Sequence, residues 1–145
     1  MVVPLQLQVP VTREGLRQAA DALHHWLAAA GLRGEAAYGA ELALEELGSN
    51  LLRHPGPQGA ATQLQIEARH SGALLELELI DNGAPFDPTT AALPDLHRPI
   101  QERPIGGLGL LLMRRMAAQL QYERLTDGNR LVCRFRAKAR AAPPG

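Results

Sequence analysis

Apolar residues along this chain switch between two spacings, every second residue and every third or fourth, and the switches mark its elements. Leu5, Leu7, Val9 and Val11 alternate with Gln6, Gln8 and Pro10, the spacing of a half-buried strand. Pro10 has no N–H to give to a ladder, which places that strand at a sheet edge. After Thr12, a side chain suited to capping, Leu16, Ala19, Leu23, Trp26, Leu27 and Ala30 recur at helical spacing, and Gly31 is a natural stop. A second helix is predicted over Glu35–Arg53, where His54-Pro55-Gly56-Pro57 forbids continuation. Alternation returns over residues 62–70 (Leu64, Ile66, Ala68) and 73–80 (Leu75, Leu77, Leu79), joined by Ser71-Gly72 as a tight hairpin. Residues 81–103 are rich in Pro, Asp and Thr and read as a long loop, a feature uncommon in compact domains and often functional. A helix from near Gly109 to about Gln119 follows. A closing hairpin pairs 120–125 with 131–135, turned at Asp127-Gly128-Asn129.

The order β-α-α-β-β-loop-α-β-β predicts an α+β two-layer sandwich, with helices on one face of a mainly antiparallel sheet. The length of 145 residues suits one domain, expected over 1–136 with a flexible tail at 137–145. Fifteen basic residues balance fifteen acidic ones, so nothing in the charge directs the chain to nucleic acid or an anionic membrane. The single cysteine, Cys133, excludes an internal disulfide and a multi-cysteine zinc site, and its place in an alternating run predicts a buried thiol. No stretch reaches the ~18 apolar residues of a membrane span. The Met1-Val2-Val3-Pro4 start lacks the features of a signal peptide, so a cytoplasmic protein is expected.

Three segments carry candidate chemistry. Glu46, Asn50 and His54 are four apart on the second helix and line one face, with Arg53 nearly alongside. A carboxylate and a carboxamide stacked this way suit a base and a hard-oxygen Mg²⁺ ligand, although a solvated polar stripe has the same spacing. Asp81-Asn82-Gly83-Ala84-Pro85-Phe86-Asp87-Pro88 follows an apolar strand. An Asp there can accept from a ligand's amino group and Gly83 lets a group approach the backbone; an Asx turn has the same composition. Gly106-Gly107-Leu108-Gly109-Leu110 opens a helix, where free amides and the positive dipole end favour phosphate, without matching a dinucleotide-binding or P-loop pattern. The pair His24-His25, Met113, Met116 and Trp26 read as surface or core positions rather than ligands.

In order and spacing these segments resemble the N, G1 and G2 boxes of the GHKL (Bergerat-fold, histidine-kinase-like) ATPases. They most resemble the anti-sigma regulatory serine/threonine kinases: Glu46-x-x-x-Asn50-x-x-Arg53-His54, Asp81-x-Gly83-x-Pro85-Phe86-Asp87-Pro88 and Arg103-Pro104-Ile105-Gly106-Gly107-Leu108-Gly109-Leu110. Tyr122 and Gly128-Asn129-Arg130-Leu131 resemble that family's closing hairpin, so the resemblance covers about residues 5–136. It implies ATP and Mg²⁺ as cofactors, Asn50 bridging the triphosphate through the metal, and Glu46 rather than Glu45 as the general base. It also implies Asp81 on the adenine amine, Gly83 packed near the base, and Arg53 within reach of phosphate. Residues 88–105 become the ATP lid, with Arg98 and Arg103 as its charges. The backbone of Gly107, Leu108, Gly109 and Leu110 becomes the phosphate cradle.

Two departures stand out: Ala118 where many relatives carry an acidic residue, and Val132 as the nearest position to a Thr that the superfamily places near the nucleotide. The activity implied is an anti-sigma factor and serine/threonine protein kinase that phosphorylates a STAS-type anti-anti-sigma antagonist. Its partners would be a sigma factor, that antagonist and, as the family suggests, a second copy. The alternative is a nucleotide-dependent anti-sigma adaptor with little or no phosphotransfer. A histidine-kinase catalytic half fits poorly, because no helix pair carrying a phosphoacceptor His precedes the domain.

Overall fold

The structure, a computed structural model, describes residues 3–90 and 107–137. Among them the order is β1 (Leu5–Pro10), α1 (Arg13–Ala29), α2 (Glu35–Arg53), a 3₁₀ turn (Pro57–Gly59), β2 (Gln63–Ser71), β3 (Leu74–Asp81), α3 (Gly107–Met116), β4 (Gln119–Leu125) and β5 (Gly128–Arg136). The strands form one sheet in the order β1-β2-β3-β5-β4, every neighbouring pair antiparallel. The α+β sandwich expected from the sequence is therefore the fold. Pro10 lies on an edge strand, as its missing N–H requires.

Alternation in the strands sends one set of side chains to the helices. Leu64, Ile66, Ala68, Leu75, Leu77, Leu79, Leu131, Cys133 and Phe135 are buried there, against Leu23, Trp26 and Leu27 of α1, Ala40, Leu44, Leu47 and Leu51 of α2, and Met113 of α3. Trp26 is a core residue, and its indole Nε1 donates to the Val3 carbonyl at 2.7 Å, tying the chain's start to α1. His24 and His25 are exposed, as expected. The other sheet face is polar: Arg130 donates to Glu78 and Arg134 to Glu76, each at 2.9 Å, and Val132 is buried among their stems' face of the sheet.

Local chemistry sets the helix positions. The Thr12 hydroxyl accepts from the Gly15 N–H at 2.9 Å and caps α1, an interaction worth about 1 kcal/mol. Helix α2 has the predicted bounds, because the His54 N–H makes the last helical bond to Asn50 and Pro55 can make none. Gly39 lets α2 settle onto β5: a Cβ there would stand 2.5 Å from the Phe135 ring. Helix α2 is thus the central member of its layer, touching α1, α3, β3 and β5.

Two boundaries differ from the sequence reading. Helix α3 spans Gly107–Met116, so Gly107 and Gly109 are inside its first turn rather than before it. The last hairpin turns at Thr126-Asp127, and Gly128 and Asn129 are already paired residues of β5, opposite Leu125 and Arg124. Ala137 continues beyond β5, buried and donating to the Ala73 carbonyl at 2.7 Å.

Candidate functional site

Helix α2 carries the first motif along its side toward α3. Glu46 and Asn50 are half-buried one turn apart, while Glu45, Arg53 and His54 are exposed. Neither the Glu46 carboxylate nor the Asn50 carboxamide takes a side-chain hydrogen bond from any described residue, which leaves both available to a ligand. Burial pushes the Glu46 carboxyl above its ordinary 4.5; neighbouring Glu45 adds to the rise and Arg53 opposes it. The Glu46 carboxylate lies directly against Gly109: a Cβ on that glycine would stand 2.0 Å from Oε1 and 2.5 Å from Cδ. The first and third motifs, 63 residues apart in the chain, therefore meet at one contact.

The second motif closes the site from the sheet. Asp81, the last residue of β3, is 4% exposed and points to the helix side. Its Oδ1 accepts from the Gly83 N–H at 2.8 Å and from Asn129 Nδ2 at 2.9 Å. Gly83 has no space for a side chain, since a Cβ would meet Asp81 Oδ1, Ala61 and Leu51, the last adjacent to Asn50, at 3.0–3.2 Å. Asn82 turns outward and holds the loop to β2, accepting from Thr62 N and Gln63 N at 2.9 and 3.0 Å. Asp87 closes an Asx turn onto Thr89, and Arg114 of α3 grips the Pro88 carbonyl through Nε at 2.7 Å. The segment that follows β3 is thereby fixed to α3 at Pro88. Residues 91–106, with Arg98, Arg103 and Gly106, lie outside the described residues.

Of the residues predicted for the site, Glu46 meets Gly109, Gly83 packs against Asp81 and against Leu51, the neighbour of Asn50, and Gly107, Leu108 and Leu110 lie in the first turn of α3. Leu110 turns its side chain into the core. Arg53 is on the exposed side of α2, its Nε 3.4 Å from the Ser49 carbonyl. The expectation for Val132 is corrected. It pairs with Glu78 and stands on the outer sheet face, while Asn129 faces Asp81 across the β3–β5 ladder. Asn129, Tyr122 and Arg124 were missed as site residues. Tyr122 donates to Asn129 Oδ1 at 2.5 Å, and Arg124 donates to the Gly83 carbonyl at 2.7 Å. Counting the hairpin from a two-residue turn at Thr126-Asp127 is the signal that puts Asn129 on Asp81's face.

The donors suit Mg²⁺ carried on phosphates rather than a protein-only metal cage. Among the described residues no three His, Cys, Asp or Glu side chains cluster, whereas a carboxylate stands against the glycine-bearing start of α3 and a carboxamide follows it one turn on along α2. Chemically, the arrangement offers a carboxylate base, a hard-oxygen ligand, helix-start amides for phosphate and a buried acceptor for an amino group.

The profile of the histidine kinase-like ATPase domain matches residues 9–135 of this chain. Over 132 residues the sequence is 32% identical to the serine/threonine-protein kinase BtrW of Bordetella bronchiseptica, an alignment covering 88% of this chain and 89% of that protein. The fold is similar to the crystal structure of the RsbU and RsbW domains of Rv1364c from Mycobacterium tuberculosis, with a TM-score of 0.65 and 16% identity over 93% of this chain. At that identity the likeness is one of fold, and this chain spans 32% of the length of the solved one.

Proposed function

This chain belongs to the histidine kinase-like ATPase domain family, and from that membership we propose that it is an ATP-dependent anti-sigma factor and serine/threonine protein kinase. Its substrate in this reading is a STAS-type anti-anti-sigma antagonist in a partner-switching pathway, and the other partner is a sigma factor. The observation that carries it is the contact between Glu46 and Gly109, which sets a carboxylate of raised proton affinity at the start of α3, where phosphate would lie. A module that only sequesters a partner has no use for a base at that position. The 32% identity to a protein named as a serine/threonine kinase supports the same reading.

The residues divide the work as follows. Asp81 accepts the adenine amino group, and Gly83 packs near the base. The backbone N–H groups of Gly107, Leu108, Gly109 and Leu110 hold the phosphates, with Arg53 and, from the lid, Arg103 as added positive charge. Asn50 would hold Mg²⁺ through its carboxamide oxygen, and the metal, when bound, neutralises charge on the phosphates. Glu46 takes the proton of the acceptor hydroxyl as its oxygen bonds to the γ-phosphorus; the bond from that phosphorus to the β,γ-bridging oxygen breaks and ADP departs.

The test has two parts. Mg-ADP or Mg-ATP at ~100 times its dissociation constant should add about 2.7 kcal/mol to stability, a shift lost in Asn50→Ala. Glu46→Gln should keep that shift and lose transfer of the γ-phosphate to a STAS-domain antagonist by ~10²–10⁴-fold. Transfer at the wild-type rate by Glu46→Gln defeats the assignment of the base. Nucleotide binding with no transfer by the wild-type chain to any antagonist favours the adaptor.

A further inference from the structure

Asn129 sits opposite Asp81, 4% exposed, and nothing in the phosphotransfer chemistry above uses it. Its carboxamide can stand only one way round. Oδ1 faces three donors: the Tyr122 hydroxyl at 2.5 Å, the Phe86 N–H at 3.3 Å and the Arg124 guanidinium at 3.4 Å. Nδ2 faces acceptors, Asp81 Oδ1 at 2.9 Å and the Ala84 carbonyl at 2.8 Å. A flipped amide would turn its carbonyl onto the Asp81 carboxylate and the Ala84 carbonyl and its N–H groups onto the Phe86 N–H and the Arg124 guanidinium, losing those four bonds and keeping only the Tyr122 hydroxyl, which can also accept. Asp81 Oδ1 already holds the Gly83 N–H, so it carries two N–H donors, while no described residue donates to Oδ2. The carboxylate is thus fixed in rotation, with one oxygen occupied and one to offer.

We propose that Asn129, oriented by Tyr122, is the positioning residue that sets base selectivity: it locks Asp81 so that only Oδ2 meets the bound base, as an acceptor. The site then prefers a purine bearing an exocyclic amino group over one bearing a carbonyl at that place. This rests on the nucleotide reading above. A base carbonyl would meet a carboxylate that has no donor to give, and neither oxygen can rotate away without breaking the bonds to Gly83 and Asn129.

The experiment compares Mg-ADP with Mg-IDP, which carries a carbonyl in place of the adenine amine, by titration calorimetry. Wild-type protein should prefer ADP by about 10–100-fold. Asn129→Ala should reduce that preference by about tenfold or more, and Tyr122→Phe by roughly 3–10-fold, through weaker ADP binding and with IDP affinity little changed. Should Asn129→Ala fail to fold, Tyr122→Phe decides, because the tyrosine hydroxyl touches Asn129 and not Asp81. A purely structural role would weaken ADP and IDP alike and leave their ratio at the wild-type value in both variants, which overturns the proposal. Equal affinity for ADP and IDP in the wild-type protein overturns it too, with nucleotide binding intact. Failure of the wild-type protein to bind either nucleotide overturns the nucleotide reading itself and this inference with it.

Discussion

Gly109→Ala separates what the Glu46 contact does for stability from what it does for chemistry. The added methyl would stand 2.0 Å from Oε1, and an ordinary contact begins near 3.4 Å, so the carboxylate must retreat by about 1.4 Å. Displacing a half-exposed glutamate costs about 0.5–1.5 kcal/mol of rotamer strain. Replacing glycine by alanine within a helix returns about 0.5–1 kcal/mol, since Gly109 gives up no left-handed backbone. The two nearly offset, and the melting temperature should stay within about 4 °C of wild type. Phosphotransfer should not survive the same change: moving a reacting group by an ångström reduces rate by about 100-fold. The assay is single-turnover transfer from ATP to a STAS-domain antagonist, run beside melting and calorimetric ADP binding. ADP affinity should fall by less than about tenfold, because the residue 109 N–H remains. A transfer rate within about threefold of wild type would refute the reasoning, for it would mean that the position of the Glu46 carboxylate is irrelevant to the reaction.

The raised proton affinity of Glu46 gives a pH dependence with a definite sign. Transfer needs the ionised base, so kcat should fall on acidification with a midpoint above 4.5, and a midpoint at or below 4.5 would remove Glu46 as the titrating base. Because burial raises this carboxyl, the stability it contributes is full below the unfolded value and lost as pH rises through the folded one. Glu46→Gln should therefore melt no lower than wild type at neutral pH, its relative advantage vanishing below pH 4.5; a lower neutral Tm would contradict the burial argument. Gly39→Ala drives a methyl to 2.5 Å from the buried Phe135 ring and should destabilise by about 1–3 kcal/mol in chemical denaturation, whereas an unchanged midpoint would deny the close approach of α2 to β5. Cys133, its thiol pushed up to about 12 by burial, should resist thiol reagents in the native protein and react on unfolding; prompt native labelling would place it outside the core.

What the sequence revealed divides along the range of the physics involved. Elements decided by local periodicity and backbone chemistry were legible. Helix α2 ends at Arg53 because Pro55 cannot follow, and Leu75, Leu77 and Leu79 are buried because alternation puts them on one face. The start of α3 was read two residues late, because Gly107 and Gly109 weaken helix propensity while tertiary contact with α2 holds them helical. Asp127-Gly128-Asn129 has the composition of a turn, yet pairing with Leu125 and Arg124 draws Gly128 and Asn129 into β5. Gly128 is needed there for space rather than for turning, since a Cβ would lie 2.0 Å from the Asp81 carbonyl oxygen.

The same division runs through the site. Glu46 and Asn50 share a helix face by spacing alone, and Asp81 with Gly83 is a contiguous motif, so both could be proposed from the chain. That Glu46 lies against Gly109 and Asn129 against Asp81 depends on contacts 63 and 48 residues apart, which no local window contains. Asn129 shows why such a residue escapes notice. Asparagine after glycine is ordinary turn chemistry, and its function exists only once register sets it across from a carboxylate. A buried asparagine whose every polar atom is engaged is costly to place and costly to replace, because removing it would leave the Tyr122 hydroxyl, the Phe86 N–H and one side of Asp81 without a partner. A fold that needed only a well-packed strand end could have used an apolar side chain there at less cost. The polar network therefore points to demands on Asp81, and Asp81 is where the proposed ligand begins.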